Sequence, residues 1–233
     1  GQSQDGVTHS NGQEFNREAV GANYVYNNVF RNNFIGGSGV VAWFCPNAQD
    51  YYFNNLFYNN NGQQISFDKS CGATSVYYYN NTFVDSGAVG GVGVWSGNFN
   101  NNLFINSTRI GSAQSDVNSI FLTIAEAAVR GFSQANAYAP ESANCNGLTP
   151  CPVGAGANLS GSIGSVGAAL GSATTGACAY NQSSHSVSCP ARTNVARPAT
   201  GPWDIGAYQY SSGGATPPPQ PPPPSSGVSM GDI

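Results

Sequence analysis

The chain of 233 residues has only 8% charged side chains and a formal net charge of −4, where ordinary soluble domains carry roughly a quarter charged residues. That balance gives a nucleic-acid partner no electrostatic support, and no run of about 18 apolar residues is present to insert into a membrane. Its polarity resides in Asn, Ser, Gly, Gln and Thr, with aromatic and aliphatic residues recurring throughout, a composition suited to uncharged side chains stacked on copies of themselves rather than to disorder.

The chain opens at Gly1 with neither a basic nor an apolar leader, as expected of a secreted chain after signal-peptide removal or of a fragment. Glu14, Arg17 and Glu18 follow, where a capping role is expected rather than catalysis. Clear repeats then run from residue 22 to 106. Tyr26-Asn27-Asn28-Val29-Phe30, Phe53-Asn54-Asn55-Leu56-Phe57, Tyr79-Asn80-Asn81-Thr82-Phe83 and Asn100-Asn101-Asn102-Leu103-Phe104 align, with their first Asn residues spaced by 27, 26 and 21. A second apolar run follows three of the copies, at Val40 to Phe44, Ile65 to Phe67 and Val92 to Trp95. A period of this length with two or three short strands is one turn of a parallel β-solenoid. Stacking at about 4.8 Å then predicts a ladder of Phe30, Phe57, Phe83 and Phe104 beside a ladder of Asn amides. A β-sandwich with Asn-rich turns is the alternative, but it leaves the fourfold Asn-Asn-x-Phe motif unexplained.

From Ser115 the pattern changes. Val117, Ile120, Phe121, Ile124 and Ala128 follow helical spacing, Ser115 or Asp116 can cap a start, and Arg130-Gly131 can end it. This predicts a short helix packed on the solenoid, with another irregular coil as the alternative. Residues 107–210 as a whole are expected to form irregular coils and an end cap, with residues 133–195 stapled by disulfides.

The six cysteines, Cys45, Cys71, Cys145, Cys151, Cys178 and Cys189, include no CxxC pair, and His9 and His185 are far apart. A disulfide framework is therefore expected rather than zinc. Six cysteines allow 15 connectivities. Proximity favours Cys45–Cys71, Cys145–Cys151 and Cys178–Cys189, and Cys45 and Cys71 hold nearly equivalent phases after Asn27 and Asn54. Sequons at Asn80, Asn106, Asn158 and Asn181 agree with export and mark possible glycosylation sites.

The segment Arg197-Pro198-Ala199-Thr200-Gly201-Pro202-Trp203-Asp204-Ile205-Gly206-Ala207-Tyr208 resembles the closing motif of a large group of bacterial secreted right-handed parallel β-helix proteins. The match lies at Arg197, Pro198, Gly201, Asp204, Ile205, Gly206, Ala207 and Tyr208. With the Asn-Asn-x-Phe coils, it covers roughly residues 20 to 210. The resemblance implies an all-β, right-handed β-helix of residues 1–210 and an extracellular or cell-surface location. Members are mostly of unassigned function, although the fold also hosts pectate lyases, polygalacturonases and phage tailspikes, so the likeness supports fold over activity. Trp203, Ile205 and Tyr208 are expected to cover the open end of the solenoid, with Arg197 pairing Asp204 in a structural role.

After Tyr210 come a Gly/Ser joint and a polyproline segment, Pro217 to Pro219 and Pro221 to Pro224. Polyproline II docks at little entropic cost, so Pro217, Pro218, Pro219, Pro221, Pro222, Pro223 and Pro224 are candidate subunit contacts.

Chemistry is sparsely provided. Glycoside hydrolysis needs two carboxylates about 5–10 Å apart, but Asp50, Asp68 and Asp85 occupy different phases of the repeat, and Lys69 is the only lysine. No catalytic residue, metal site or cofactor is assigned. The expectation is a non-enzymatic structural protein, a homo-oligomer or filament subunit joined through its ends and tail. The alternative is a polysaccharide-binding or polysaccharide-degrading β-helix (a lyase or glycosidase), with Tyr51, Tyr52, Tyr77 and Tyr78 as stacking platforms.

Overall fold

Each repeat bends at its Asn pair. Asn27, Asn54, Asn80 and Asn101 all hold a left-handed backbone, with φ of 56°, 55°, 51° and 56°, a conformation that Asn enters at less cost than most residues. The chain therefore turns between two short strands and places them in different sheets. In the computed structural model, which describes residues 13–15, 23–31, 41–43, 50–58, 65–67, 76–84, 97–107, 115–162, 170–175, 179–181, 186–188 and 193–212, this bend recurs through five coils.

Strand β1 (Gln13–Phe15) precedes the first coil, which comprises β2 (Asn23–Tyr26), β3 (Val29–Arg31) and β4 (Val41–Trp43). The second coil has β5 (Asp50–Phe53), β6 (Leu56–Tyr58) and β7 (Ile65–Phe67). The third has β8 (Val76–Tyr79) and β9 (Thr82–Val84), the fourth β10 (Gly97–Asn100) and β11 (Leu103–Ile105), and the fifth β12 (Ser115–Val117) and β13 (Ile120–Leu122). Three all-parallel sheets result, ordered β1-β4-β7, β12-β10-β8-β5-β2 and β13-β11-β9-β6-β3. This is an all-β parallel solenoid. Of the second apolar runs, those at Val41–Trp43 and Ile65–Phe67 pair with each other in the third sheet, while Val92 to Trp95 lies outside the described residues.

Registered pairing puts like on like. Phe30, Phe57, Phe83, Phe104 and Phe121 stack with centroid separations of 4.9, 5.0, 5.1 and 4.6 Å and interplanar angles no greater than 17°, close to the strand spacing of about 4.8 Å. The second Asn of each pair builds the amide ladder. Both N and Nδ2 of Asn28 donate to Asn55 Oδ1, those of Asn55 to Asn81 Oδ1, and those of Asn81 to Asn102 Oδ1, at 3.0–3.3 Å. The other amide hydrogen returns to the preceding coil, from Asn55 to Val25 O, Asn81 to Tyr52 O and Asn102 to Tyr78 O. The buried amides of Asn55 and Asn81 thus find partners on both neighbouring coils, and that of Asn102 on the third coil and its own, as burial requires of them.

The expected helix from Ser115 is corrected. Residues 115–122 are the fifth coil, because Val117-Asn118-Ser119-Ile120-Phe121 is a copy of the motif with Ser in place of the second Asn. Asn118 takes the same left-handed bend, with φ 57°. The helix, α1 (Ile124–Val129), starts only after Thr123, whose Oγ1 accepts from Glu126 N while the Glu126 carboxylate accepts from Thr123 N. This capping box fixes the boundary. The helix does end at Arg130, followed by Gly131 at φ 82°.

Beyond α1 the chain is irregular, stapled by Cys145–Cys151 with a Cα–Cα distance of 5.5 Å. The later strands β14 (Ser172–Thr175), β15 (Ala179–Asn181), β16 (Ser186–Ser188) and β17 (Thr193–Ala196) pair antiparallel, β14 with β17 and β15 with β16. Cys45, Cys71, Cys178 and Cys189 lie outside the described residues, as do Arg17, Glu18, Asp68, Lys69, Asp85 and the tail prolines.

Candidate functional site

The first Asn of each pair lies outside the ladder of second Asn residues, although Asn101 Nδ2 donates to Asn80 Oδ1 at 3.3 Å. Three of them receive the C-terminal chain. Nδ2 of Asn54 donates to Leu170 O, that of Asn80 to Asp204 O and that of Asn101 to Ala157 O, at 3.2, 2.8 and 2.8 Å. Ala157 N donates back to Asn101 Oδ1 at 2.8 Å. The closing motif thus runs along the bend, across coils two to four.

This corrects the expectation that it covers the open end. Trp203 packs with Leu159 and Leu170 against Tyr51 and Phe53, on the outer face of the sheet containing β5. Ile205, Ala207 and Tyr208 pack with Phe132 and Tyr138 against Leu56, Leu103 and Ile105, on the outer face of the next sheet. The physical reason is that both outer faces are apolar at alternate strand positions and need a cover. Gly206, at φ 103°, passes so close that a Cβ would sit 2.7 Å from Thr82 Oγ1. Gly206 N donates to Asn101 O and Ala207 N to Thr82 Oγ1, at 2.8 and 2.9 Å.

Arg197 and Asp204 meet differently from the expected carboxylate pair. The buried guanidinium donates to the main-chain carbonyls of Asp204 and Gly206, to Asn54 Oδ1 and to Gln209 Oε1, at 3.0–3.2 Å. It also lies 5.5 Å from the Trp203 ring centroid. The Asp204 carboxylate accepts instead from Gly154 N and Tyr210 N. Burial lowers Arg197 to about 10, opposed by the Asp204 charge. Burial also raises Asp204, opposed chiefly by its bonds from Tyr210 and Gly154 and by Arg197. Both groups are buried and hydrogen-bonded inside the clasp.

The proposed aromatic platforms are corrected too. Tyr52 and Tyr78 are fully buried in an inward row, stacked at 5.5 Å, with Phe99 next at 4.6 Å. Burial raises the pKa of both tyrosines, as does the charge of Asp50, a buried residue two positions before Tyr52 on the same strand face. Tyr51 and Tyr77 occupy the outer row after Tyr24, but the packing of Trp203, Leu159 and Leu170 buries Tyr51. Strand alternation separates the rows, and the clasp then covers the outer one at Tyr51, leaving Tyr77 half-buried and Tyr24 exposed.

Asp50 aligns with Asn23 and Val76, so its registered neighbours hold no second carboxylate. Among the described residues no three His, Cys, Asp or Glu side chains converge as a metal set, and no helix is long and apolar enough to cross a membrane. Of the sequons, Asn80 is fully buried with its amide nitrogen committed to Asp204, which leaves no room for a glycan and corrects that candidate. The Asn158 amide donates to the carbonyls of Pro198, Ala199 and Gly201. Asn106 is exposed. Asn181 lies in β15.

Among the described residues, the exposed large apolar side chains gather on the outer coils. Tyr24 and Tyr26 are exposed on the first coil, Val117 and Phe121 on the fifth, and Ile124 and Val129 on α1 beside it. Of the large apolar side chains exposed among the described residues, only Leu148 lies elsewhere. No family model, characterised protein or solved structure matches the chain.

Proposed function

We propose that the chain is a non-enzymatic, extracellular structural protein, a right-handed parallel β-helix whose copies associate end to end. The observation that carries this reading is that the large apolar side chains exposed among the described residues lie almost wholly on the two outer coils and on α1 beside the fifth. A second copy set below the fifth coil in the same register would bring its Tyr26 against Val117 and its Phe30 against Phe121. That contact covers strand edges that natural sheets otherwise have to protect. A heterologous joint of this kind repeats into a filament. The polysaccharide reading has less support, since of the tyrosines it invoked Tyr52 and Tyr78 are interior and Tyr51 is buried under the clasp, leaving Tyr77 half-buried.

Secretion is supported by Cys145–Cys151 and by the uncharged composition, because disulfides persist in oxidising compartments. The β15–β16 pairing sets Ala179 opposite Ser188, the sequence neighbours of Cys178 and Cys189. A Cys178–Cys189 bridge is therefore part of the proposal, and its appearance as a linked peptide in a non-reducing map checks it. Asn106 is the sequon best placed for a glycan. The polyproline tail is proposed to brace the joint from the side.

Negative-stain electron microscopy of the full chain and of a chain ending at residue 214 tests the reading. End-to-end strings that shorten on truncation are expected. Isolated particles at every concentration would overturn it.

A further inference from the structure

The outer face of the sheet ordered β12-β10-β8-β5-β2 carries two parallel aromatic ridges. One runs Tyr24, Tyr51, Tyr77 and the other Tyr26, Phe53, Tyr79, each in register from coil to coil. Trp203, Leu159 and Leu170 pack over these ridges at Tyr51 and Phe53. On the first coil the same face stays accessible, with Tyr24 39% and Tyr26 42% exposed. Their rings are steadied from one side, stacked on Tyr51 and Phe53 at 5.2 and 4.7 Å. Two positions apart on one strand, they stand roughly 7 Å from each other and leave a slot between two tyrosine side chains.

The chain itself contains a segment of matching chemistry. Pro217 to Pro219, Gln220 and Pro221 to Pro224 follow a Ser/Gly joint. Polyproline II lays its rings into aromatic grooves at little cost in entropy, and its prolines present carbonyl acceptors without amide donors. Tyrosine answers both needs, with a flat apolar ring and a hydroxyl that donates. The tether is long enough. Gln209 Oε1 accepts from the Arg197 guanidinium, which also donates to Asn54 Oδ1, and Asn54 adjoins Phe53, on which Tyr26 stacks. The six residues from Ser211 to Thr216 span up to about 20 Å, and the first coil is one spacing of about 4.8 Å from the second. One turn of polyproline, roughly 9 Å long, covers both rings.

We propose that residues 217–224 dock on Tyr24 and Tyr26 of their own chain, a polyproline strap that carries the clasp on to the first coil. The short tether supplies an effective concentration in the millimolar range, so a contact too weak to join two separate molecules holds within one chain. The strap is independent of the end-to-end reading, because it needs no second copy.

Hydroxyl-radical footprinting read by mass spectrometry tests the strap on the full chain and on a full-length variant carrying Pro218→Ser, Pro219→Ser, Pro221→Ser and Pro222→Ser. These positions follow the clasp in sequence, and a thermal melt checks that the variant keeps the fold. Oxidation of Tyr24 and Tyr26 is expected to be about threefold or more slower in the native chain than in the variant, as two-thirds docking requires. The difference should hold at every protein concentration and leave Phe121 on the fifth coil unchanged. Equal rates at both tyrosines would overturn the strap. Protection that appears only as protein concentration rises would also overturn it, since the tail would then come from a second copy. A rise at Phe121 matching that at the tyrosines would do the same, because the prolines would then be acting on the whole fold.

Discussion

The paired strands described between residues 23 and 122 place side chains on their counterparts one coil away, whereas the described residues from 123 to 212 include a segment that reaches across several coils at once. In the solenoid the partners of Asn81 are Asn55, Tyr52 and Asn102, all on adjacent coils. In the clasp, Arg197 alone joins Asn54, Asp204, Gly206 and Gln209. The first arrangement is a one-dimensional array, whose stability accumulates coil by coil. The second is a tie across the array, and it makes coils two to four a cooperative block. Outer coils and flank therefore differ: the clasp covers the flank at coils two to four, while the large apolar side chains exposed among the described residues lie mostly on the outer coils.

The largest expected effect breaks the array at its centre. Phe57 is fully buried between Phe30 and Phe83, while Phe121 ends the same ladder 46% exposed. Phe57→Ala is expected to cost about 3–5 kcal/mol in denaturant melts, and Phe121→Ala about 1 kcal/mol or less, because much of its ring already faces water. Equal losses at the two positions would mean that the fifth coil is as enclosed as the second.

Gly206→Ala strikes the clasp without touching the ladder interior. The new Cβ would meet Thr82 Oγ1 at 2.7 Å and Leu103 Cβ at 3.2 Å, at a backbone φ of 103°. A loss of about 3 kcal/mol is expected from overpacking and backbone strain together. A neutral result would mean that residues 203–208 do not lie against Thr82.

The smallest effect separates the two duties of the first Asn. Asn80→Ala loses the left-handed preference, the bond to Asp204 O and the bond accepted from Asn101 Nδ2, for a cost of about 2 kcal/mol. Asn80→Gly keeps the bend and should recover about 1 kcal/mol of it. If Gly is no better than Ala, the bend contributes little and the tie to the clasp accounts for the loss.

The array was legible in the sequence because a ladder requires similar side chains at registered positions, and four copies of Asn-Asn-x-Phe carry that requirement openly. The fifth copy was hidden by Ser119 and Asp116, the two positions at which the last coil departs from the interior rows. Val117, Ile120 and Phe121 were left to mimic a helical spacing. The clasp was recognisable as a motif, but its destination was not. Gly206 needs its conformation because Thr82 and Leu103 stand beside it, a relation with no period to betray it. The tyrosines were misread for a related reason: alternation puts Tyr52 inside and Tyr51 outside, yet only the path of Leu159, Leu170 and Trp203 decides that the outer one is covered.

Hydrogen exchange read peptide by peptide on the intact chain tests most directly whether the clasp holds the flank more firmly than the outer coils are held. Slow exchange is predicted for β6, β9 and β11 and equally for residues 203–208, whose amides bond to Pro152 O, Asn101 O and Thr82 Oγ1. Faster exchange is predicted for 115–122 and for β2 at the outer coils. If residues 203–208 exchange as fast as 115–122, the motif is not clasped to the bend, and the contrast between flank and outer coils is wrong.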